Sequence, residues 1–405
     1  MAVPLLDLKR QNLALEPELK AAFERVLRSG HYILGPDLTA LEKDLAQFLG
    51  VRHALGVSSG TDALLLALMA LDIGPGDEVL VPAFTFFATA GCVARVGATP
   101  VFVDVCPACF NLDPADAAKK ITSRTKALIP VHLFGHAADM DALLALAAKH
   151  KLALIEDAAQ SLGARHSGRP VGSLGLCGAF SFFPTKNLGA LGDAGLLTTN
   201  DDAFADRATI LRVHGMKPKY YHQAVGANFR LDALQAALLR VKFPHYADYT
   251  RARQANAAFY TQRLSQTPGI APARPEDCHA HPNHHAAQQG RDPAPAGNRP
   301  SSHKITLPAA CPQHEHIWNQ YTLRVHGPGR RDALLAHLQS RQIGAEIYYP
   351  VTLDQQPCFQ TNSRGGETCT HSHALAAEVL SIPIFPELTP AERDEVAAAI
   401  ESFAK

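Results

Sequence analysis

The chain has 405 residues, 47% apolar and 19% charged; that composition excludes a wholly disordered protein and implies two or three globular domains. Its 38 basic and 38 acidic residues cancel, which excludes nucleic-acid binding driven by net charge and leaves anions to local patches. No apolar run approaches a membrane span, and the N-terminus does not read as a signal peptide.

Apolar periodicity predicts the elements in chain order. Residues 17–28 and 37–49 read as amphipathic helices, the second with Leu38, Leu41, Leu45, Phe48 and Leu49 on one side. Short apolar strands are predicted at 79–81, 99–103, 127–131, 152–155, 179–183 and 195–199. Helical patterns at 61–71, 84–95, 114–120, 137–149 and 202–213 lie between them. Strands of this kind alternating with helices predict a mostly parallel sheet covered on both faces, filling about 50–245. One long helix is predicted over 231–264. Periodicity then lapses over 272–315, a stretch rich in Pro and His (His279, His281, His284, His285, His303 and His314), which reads as an irregular, exposed insertion. A strand at 321–325, a helix at 331–340, a strand near 344–348 and helices at 371–380 and 390–403 predict a smaller α/β domain. The expected division is 1–245 and 246–405.

The eight cysteines give no disulfide framework, and a reducing cytoplasm is expected. Cys106-x-x-Cys109 is the one close pair. It has no second pair nearby, and a closed zinc site needs four ligands, so it reads as two ordinary thiols and no metal is expected. Asp104 and Asp139 read as structural acids at element ends. Dinucleotide, Walker A, His-Glu-x-x-His and nucleophile-elbow motifs are all missing.

Three stretches carry chemistry. Ser58-Ser59-Gly60-Thr61-Asp62 precedes a helix, and free helix amides with hydroxyls suit an anion; taken alone, a simple helix cap by Thr61 or Ser59 explains the stretch better. Asp157 follows an apolar strand, where the ligand crevice of a parallel sheet opens; it is also a plausible helix cap. Lys186 follows the aromatic strand Phe180-Ser181-Phe182-Phe183 and leads into Gly-rich residues. A lysine held in apolar surroundings loses its proton more easily and can form a Schiff base. A phosphate cradle including Ser181, a strand-end acid and a buried lysine are together the parts that hold pyridoxal phosphate.

The chain resembles the DegT/DnrJ/EryC1/StrS nucleotide-sugar aminotransferases. The resemblance rests on Ser58–Asp62, Gly74-Pro-Gly-Asp-Glu-Val, Pro82-Ala-Phe-Thr-Phe-Phe-Ala-Thr-Ala, Val131-His-Leu-Phe-Gly-His, Ile155-Glu-Asp-Ala-Ala-Gln, Phe180–Gly189, Arg212-Val-His-Gly and Gly226-Ala-Asn-Phe-Arg. It implies the aspartate-aminotransferase (type I) fold: a large domain with a mostly parallel seven-stranded sheet and a smaller C-terminal α/β domain. It implies pyridoxal 5'-phosphate, with the pyridoxamine form as intermediate. Lys186 would form the Schiff base and Asp157 would pair with the pyridine nitrogen. Gln160 would touch the ring edge, Phe86 would stack on the ring, and Gly60, Thr61 and Ser181 would hold the phosphate. Asn228 would reach the phosphate of a partner's cofactor, and Arg230 would approach substrate across the same interface, giving a homodimer with composite sites.

The implied reaction passes the amino group of L-glutamate to a nucleotide-linked keto sugar, as in glycan biosynthesis. Lys186 stands where a dehydratase relative carries His, which favours transamination. The loop Met216-Lys-Pro-Lys-Tyr-Tyr-His222 resembles the 3-keto group, with Lys217, Lys219 and His222 as candidates for the diphosphate or a sugar acid. Amination at C4 of a 4-keto-6-deoxy sugar, another pyridoxal-phosphate reaction such as dehydration, and a non-catalytic protein of the same fold are the competing readings. Neither nucleic acid nor membrane is an expected partner.

Overall fold

A computed structural model describes residues 2–274, 277–278, 303–308, 311 and 313–405. The first half of the chain alternates strand and helix. The strands are β1 (His53–Val57), β2 (Glu78–Pro82), β3 (Thr99–Val103), β4 (Thr125–Leu128), β5 (Ala153–Asp157), the short pair β6 (Arg165–His166) and β7 (Arg169–Pro170), β8 (Cys177–Ser181) and β9 (Gly195–Thr199). The helices are α1 (Leu8–Ala14), α2 (Glu16–Ser29), α3 (Pro36–Leu49), α4 (Gly60–Ala70), α5 (Ala88–Arg95), α6 (Pro114–Lys120), α7 (Met140–His150) and α8 (Asp202–Leu211).

Seven of these strands form one sheet in the order β1-β9-β8-β5-β4-β2-β3. The β3-β2-β4-β5-β8 neighbours pair in parallel, and β9 runs antiparallel to both β8 and β1. Only β9 is therefore reversed, and the mostly parallel sheet is as expected. Every residue of β2 is buried, as a strand covered by helices on both faces requires. The helix α4 is apolar nearly all round, with Leu64, Leu66 and Leu68 buried. It lies in the cluster that also takes Val81 from the sheet, Val93 from α5 and Ala208 from α8. A helix enclosed this way cannot shift, so its N-terminus is a fixed point at the sheet edge.

The second half continues with α9 (Ala233–Lys242) and α10 (Tyr246–Leu264). The single helix expected over 231–264 is in fact two, separated by a 3-10 turn at Phe243–His245. Pro244 lacks the amide that an unbroken helix needs there. Strands β10 (Ile270–Pro272), β11 (Ile305–Leu307), β12 (His314–Glu315), β13 (Tyr321–Val325) and β14 (Val379–Ile382) follow, with helices at Arg330–Ser340, Thr370–Glu378 and Pro390–Ala404. A second sheet runs β10-β11-β13-β14, and β12 joins β6 and β7 in a third.

Two expectations fail here. No strand forms near 344–348; Glu346 makes only an isolated bridge to Ser381. The helix expected over 371–380 ends at Glu378 and passes into β14. Asp104 and Asp139 are structural, as expected. Asp104 accepts hydrogen bonds from the amides of His371 and Ser372, capping the helix Thr370–Glu378, and Asp139 caps α7 through the Ala142 amide.

The reading of 272–315 as an exposed insertion also needs correction where it is described. Ile305–Leu307 is a strand of the second sheet, and His314 is buried. His279, His281, His284 and His285 lie outside the described residues. His314 joins a buried row: its Nε2 is 2.9 Å from His166 Nδ1 and its Nδ1 is 3.2 Å from His136 Nε2. Asn111 Nδ2 stands 3.3 Å from His136 Nδ1 at one end, and Asp141 2.9 Å from His166 Nε2 at the other. Asn111 can only donate to His136 and Asp141 can only accept from His166, so the ring protons run one way along the row. Burial pushes His136 down to about 3 and His314 down to about 2, so these two rings stay neutral.

Candidate active site

The parallel sheet directs the ends of β1, β5 and β8 to one edge. The register sets Val57, Gly195 and Ser181 side by side there. The N-terminus of α4 folds down onto this row. Ser59 Oγ accepts from the Asp62 amide at 3.0 Å, and Ser58 Oγ donates to the Asp62 carboxylate at 2.6 Å. The cap that Thr61 or Ser59 could have formed thus belongs to Ser59. Thr61 is exposed in the first turn of α4, whose leading amides have no intrahelical acceptor.

The cradle is close-packed. A Cβ on Gly60 would stand 2.8 Å from Ser181 Cβ, and one on Gly195 would stand 2.4 Å from the Ser59 carbonyl carbon and 2.5 Å from its oxygen. Both contacts fall where helix start and sheet edge meet, so only glycine permits this approach. Gly195→Ala is expected to destabilise the fold by about 1–3 kcal/mol and to loosen anion binding at the α4 terminus. Denaturant titration checks this against Gly74→Ala, whose Cβ would meet only Val96 O at 3.7 Å. Equal stability of the two variants would refute the steric reading.

Asp157 ends β5 and is buried. Thr89 Oγ1, on α5, donates to its Oδ2 at 2.8 Å, and the Ala159 amide donates to Oδ1 at 3.2 Å. Burial pushes this carboxyl above its usual range, while Thr89, the Ala159 amide, Lys186 and His132 pull it down. A cation beside it would restore the charged form. Its neighbour Glu156 faces away from this edge. It is held by the amides of Gly172, Leu174 and Gly175 and by His132 Nε2 at 2.9 Å. His132 Nδ1 accepts from the Ala138 amide, so its proton sits on Nε2 and donates to Glu156.

Lys186 lies five residues past the end of β8, in a turn whose amide bonds to Phe183 O. Its stem is partly exposed, yet protein surrounds its amine. Burial lowers the amine to about 8, against the upward pull of Asp157. Lysine and strand-end acid therefore lie close enough to influence each other's charge. Gln160 is anchored from both ends: its Oε1 accepts from the Phe134 amide at 2.7 Å and its Nε2 donates to the Tyr349 hydroxyl at 3.2 Å. Phe86 is 56% exposed and touches Tyr349, ring centres 6.2 Å apart. Thr89 and Tyr349 were not among the residues singled out from sequence.

The remaining candidates lie further out. Arg230 bridges through its backbone to Val57 at the same sheet edge, and Asn228 is exposed one step away, paired with Val213. Lys217, Lys219 and His222 are exposed. The described contacts keep Lys219 and His222 within their own loop: the Lys219 ammonium lies over the Tyr220 ring and His222 Nδ1 donates to the His214 carbonyl.

The donor set fits pyridoxal phosphate. Helix amides and hydroxyls would suit its phosphate, a buried carboxyl would suit its cationic ring nitrogen, and an amine of lowered proton affinity would suit its aldehyde. Comparison with known proteins agrees. The family model of the DegT/DnrJ/EryC1/StrS aminotransferases matches residues 14–290 and 300–401. A protein named pleiotropic regulatory protein, from Geobacillus stearothermophilus, is 43% identical over 403 residues, covering 100% of this chain and 99% of that protein. UDP-N-acetyl-3-dehydro-alpha-D-glucosamine 3-aminotransferase of Acidithiobacillus ferrooxidans is 41% identical over 399 residues, covering 98% and 97%. The crystal structure of DesV from S. venezuelae in complex with a ketimine intermediate superposes with a TM-score of 0.88 at 40% identity, covering 100% and 99%. Matched along nearly its whole length in sequence and fold, the chain belongs to the DegT/DnrJ/EryC1/StrS aminotransferase family and is a pyridoxal-phosphate-dependent transaminase.

Proposed function

We propose that the chain passes the amino group of L-glutamate to a nucleotide-linked 3-keto sugar, giving a 3-amino sugar nucleotide and 2-oxoglutarate. The observation that carries the choice of C3 is the likeness, along 98% of the chain, to a relative named as a 3-aminotransferase. The loop Met216–His222, similar to the 3-keto group, supports the same choice.

Each residue has a task in this reading. The amides at Gly60 and Thr61 and the Ser181 hydroxyl hold the cofactor phosphate. Asp157, whose charged form Thr89 and the Ala159 amide favour against burial, pairs with the protonated pyridine nitrogen, the cation that restores its charge. Gln160 fixes the ring edge and Phe86 covers one face. When bound, pyridoxal phosphate supplies the electron sink that lets an α-proton leave. Lys186 Nζ takes that proton from the donor amino acid and returns it, as general base and then acid. In the second half-reaction it runs the same transfer in reverse.

The active unit in this reading is a homodimer. Exposed Phe86, Asn228 and partly exposed Arg230 border the site on the side where a second copy completes it. Asn228 reaches the phosphate and Arg230 the substrate across that interface. Lys217, Lys219 and His222 meet the nucleotide diphosphate or a sugar acid.

The test offers glutamate with a panel of 3-keto and 4-keto nucleotide sugars, following 2-oxoglutarate release and the aminated product. Turnover of 3-keto substrates is expected, and turnover confined to 4-keto substrates would overturn the choice of C3.

A further inference from the structure

Four cysteines unused by this chemistry meet in one place. Cys106 and Cys109 sit in the turn after β3, closed by the Cys106 amide on Asn111 O at 2.8 Å and the Phe110 amide on Cys106 O at 2.8 Å. Cys278 follows β10, and Cys311 lies between β11 and β12. Together with Ala108 they form a separate buried cluster, with exposures of 0% (Cys106), 8% (Cys109), 0% (Cys278) and 1% (Cys311). The sulfurs of Cys106, Cys109 and Cys278 all lie within 4.8 Å of one another. The Cys278 sulfur also contacts that of Cys311. The second pair missing from the local sequence is thus supplied by the fold, from two segments more than 160 residues further on.

From this geometry we infer that Cys106, Cys109, Cys278 and Cys311 form a mononuclear tetrathiolate site for one zinc ion. The spacing and the surroundings both argue for it. Tetrahedral bonds of about 2.3 Å place zinc-bound sulfurs about 3.8 Å apart, inside the 4.8 Å that spans Cys106, Cys109 and Cys278; Cys311, beside Cys278, would close in as the fourth ligand. Disulfide bonding would need about 2.05 Å, and would join the sulfurs in pairs rather than gather them around one centre. A Cys-x-x-Cys turn is a usual half-site for zinc. The backbone also anticipates thiolates: the Asn111 amide donates to Cys109 sulfur, and the Gln313 amide donates to Cys311 sulfur. Each donor lies two residues past its cysteine, so the two halves of the site are built alike. Such outer hydrogen bonds orient ligands and support their negative charge. Cysteine also packs as a small hydrophobe, but apolar packing alone explains neither the convergence of sulfurs nor the paired amides. The ion would tie the segments around Cys278 and Cys311 to the large sheet. Cys311 O accepts from the His314 amide, so the tie extends into the buried histidine row.

Metal analysis of the full-length chain, purified without added metal, tests this independently of catalysis. About one zinc per chain is expected. Cys278→Ser and Cys311→Ser should each fall below about a tenth of that after dialysis against a chelator, while the exposed Cys358→Ser keeps it. Cobalt exchanged into the wild-type chain should show thiolate-to-metal charge transfer and the visible bands of a tetrahedral site. If both serine variants fail to fold, the wild-type zinc content and cobalt spectrum decide alone. A wild-type chain that lacks zinc and takes up neither metal refutes the site. So does full zinc retention in both variants, or a disulfide among these four cysteines in freshly isolated protein.

Discussion

Lys186→Ala is expected to reduce transamination at least about 10⁴-fold, the upper range for loss of a positioned general acid–base, and to remove the visible band of the bound cofactor. The lysine is asked to be a nucleophile and a proton carrier, and no neighbour can take over either task. Lys186→Arg should fail as fully, because guanidinium keeps the charge but stays protonated. The pH dependence is the sharper check. An ordinary lysine loses its proton near 10.5, whereas burial brings this amine to about 8. Only the neutral amine attacks an aldehyde. Reconstitution of the cofactor-free chain should therefore speed up with rising pH and level off above about 8. A rate still climbing toward the ordinary lysine range would show that the amine is not held as described. Activity of Lys186→Ala within a hundredfold of the parent would sink the assignment itself.

Part of this was legible in the sequence because it is local. Thr99–Val103, Gly195–Thr199 and Tyr321–Val325 are strands at the residues their apolar runs predict, since a strand buried on both faces is written as an unbroken run. The placement of Asp157 at a strand end and of Lys186 in the turn beyond one was readable for the same reason, each standing just past such a run. What escaped is what distant segments assemble. Thr89 touches Asp157 across 68 positions, and Tyr349 reaches Gln160 across 189. No spacing rule marks either. The strand His53–Val57 was missed: His53 and Gly56 break its apolar run, and it is a strand because β9 lies beside it. The convergence of Cys278 and Cys311 on Cys106-x-x-Cys109 was not legible, because both lie within a stretch whose composition suggested exposure. Composition describes solvent preference residue by residue; it does not report that a strand such as Ile305–Leu307 pulls its neighbours inside.

The second large effect is expected at Asp157. Asp157→Asn should lower kcat about 10²–10³-fold, as loss of one preorganised electrostatic partner does, with a smaller change in KM. The variant should still bind cofactor, because the α4 terminus, Ser181 and Lys186 are untouched. What it would lose, on the proposed role of Asp157, is the charge that keeps a proton on the pyridine nitrogen, and with it the strength of the electron sink. Thr89→Val tests the same point from behind. It leaves the carboxyl in place but removes the hydrogen bond that favours its charged form. Bonds to charged groups contribute about 1.5–3 kcal/mol, so a loss of about ten- to a hundredfold is expected, less than for Asp157→Asn. Both variants should slow the glutamate half-reaction measured alone by rapid mixing, which separates a chemical defect from a weakened hold on sugar nucleotide. A further readout separates electrostatics from shape. Asp157 raises the proton affinity of Lys186, so removing its charge should move the reconstitution plateau of Asp157→Asn below about 8. Were the plateau to stay in place while kcat fell, Asp157 would be acting by packing, and the pairing of acid and lysine in one electrostatic unit would be wrong.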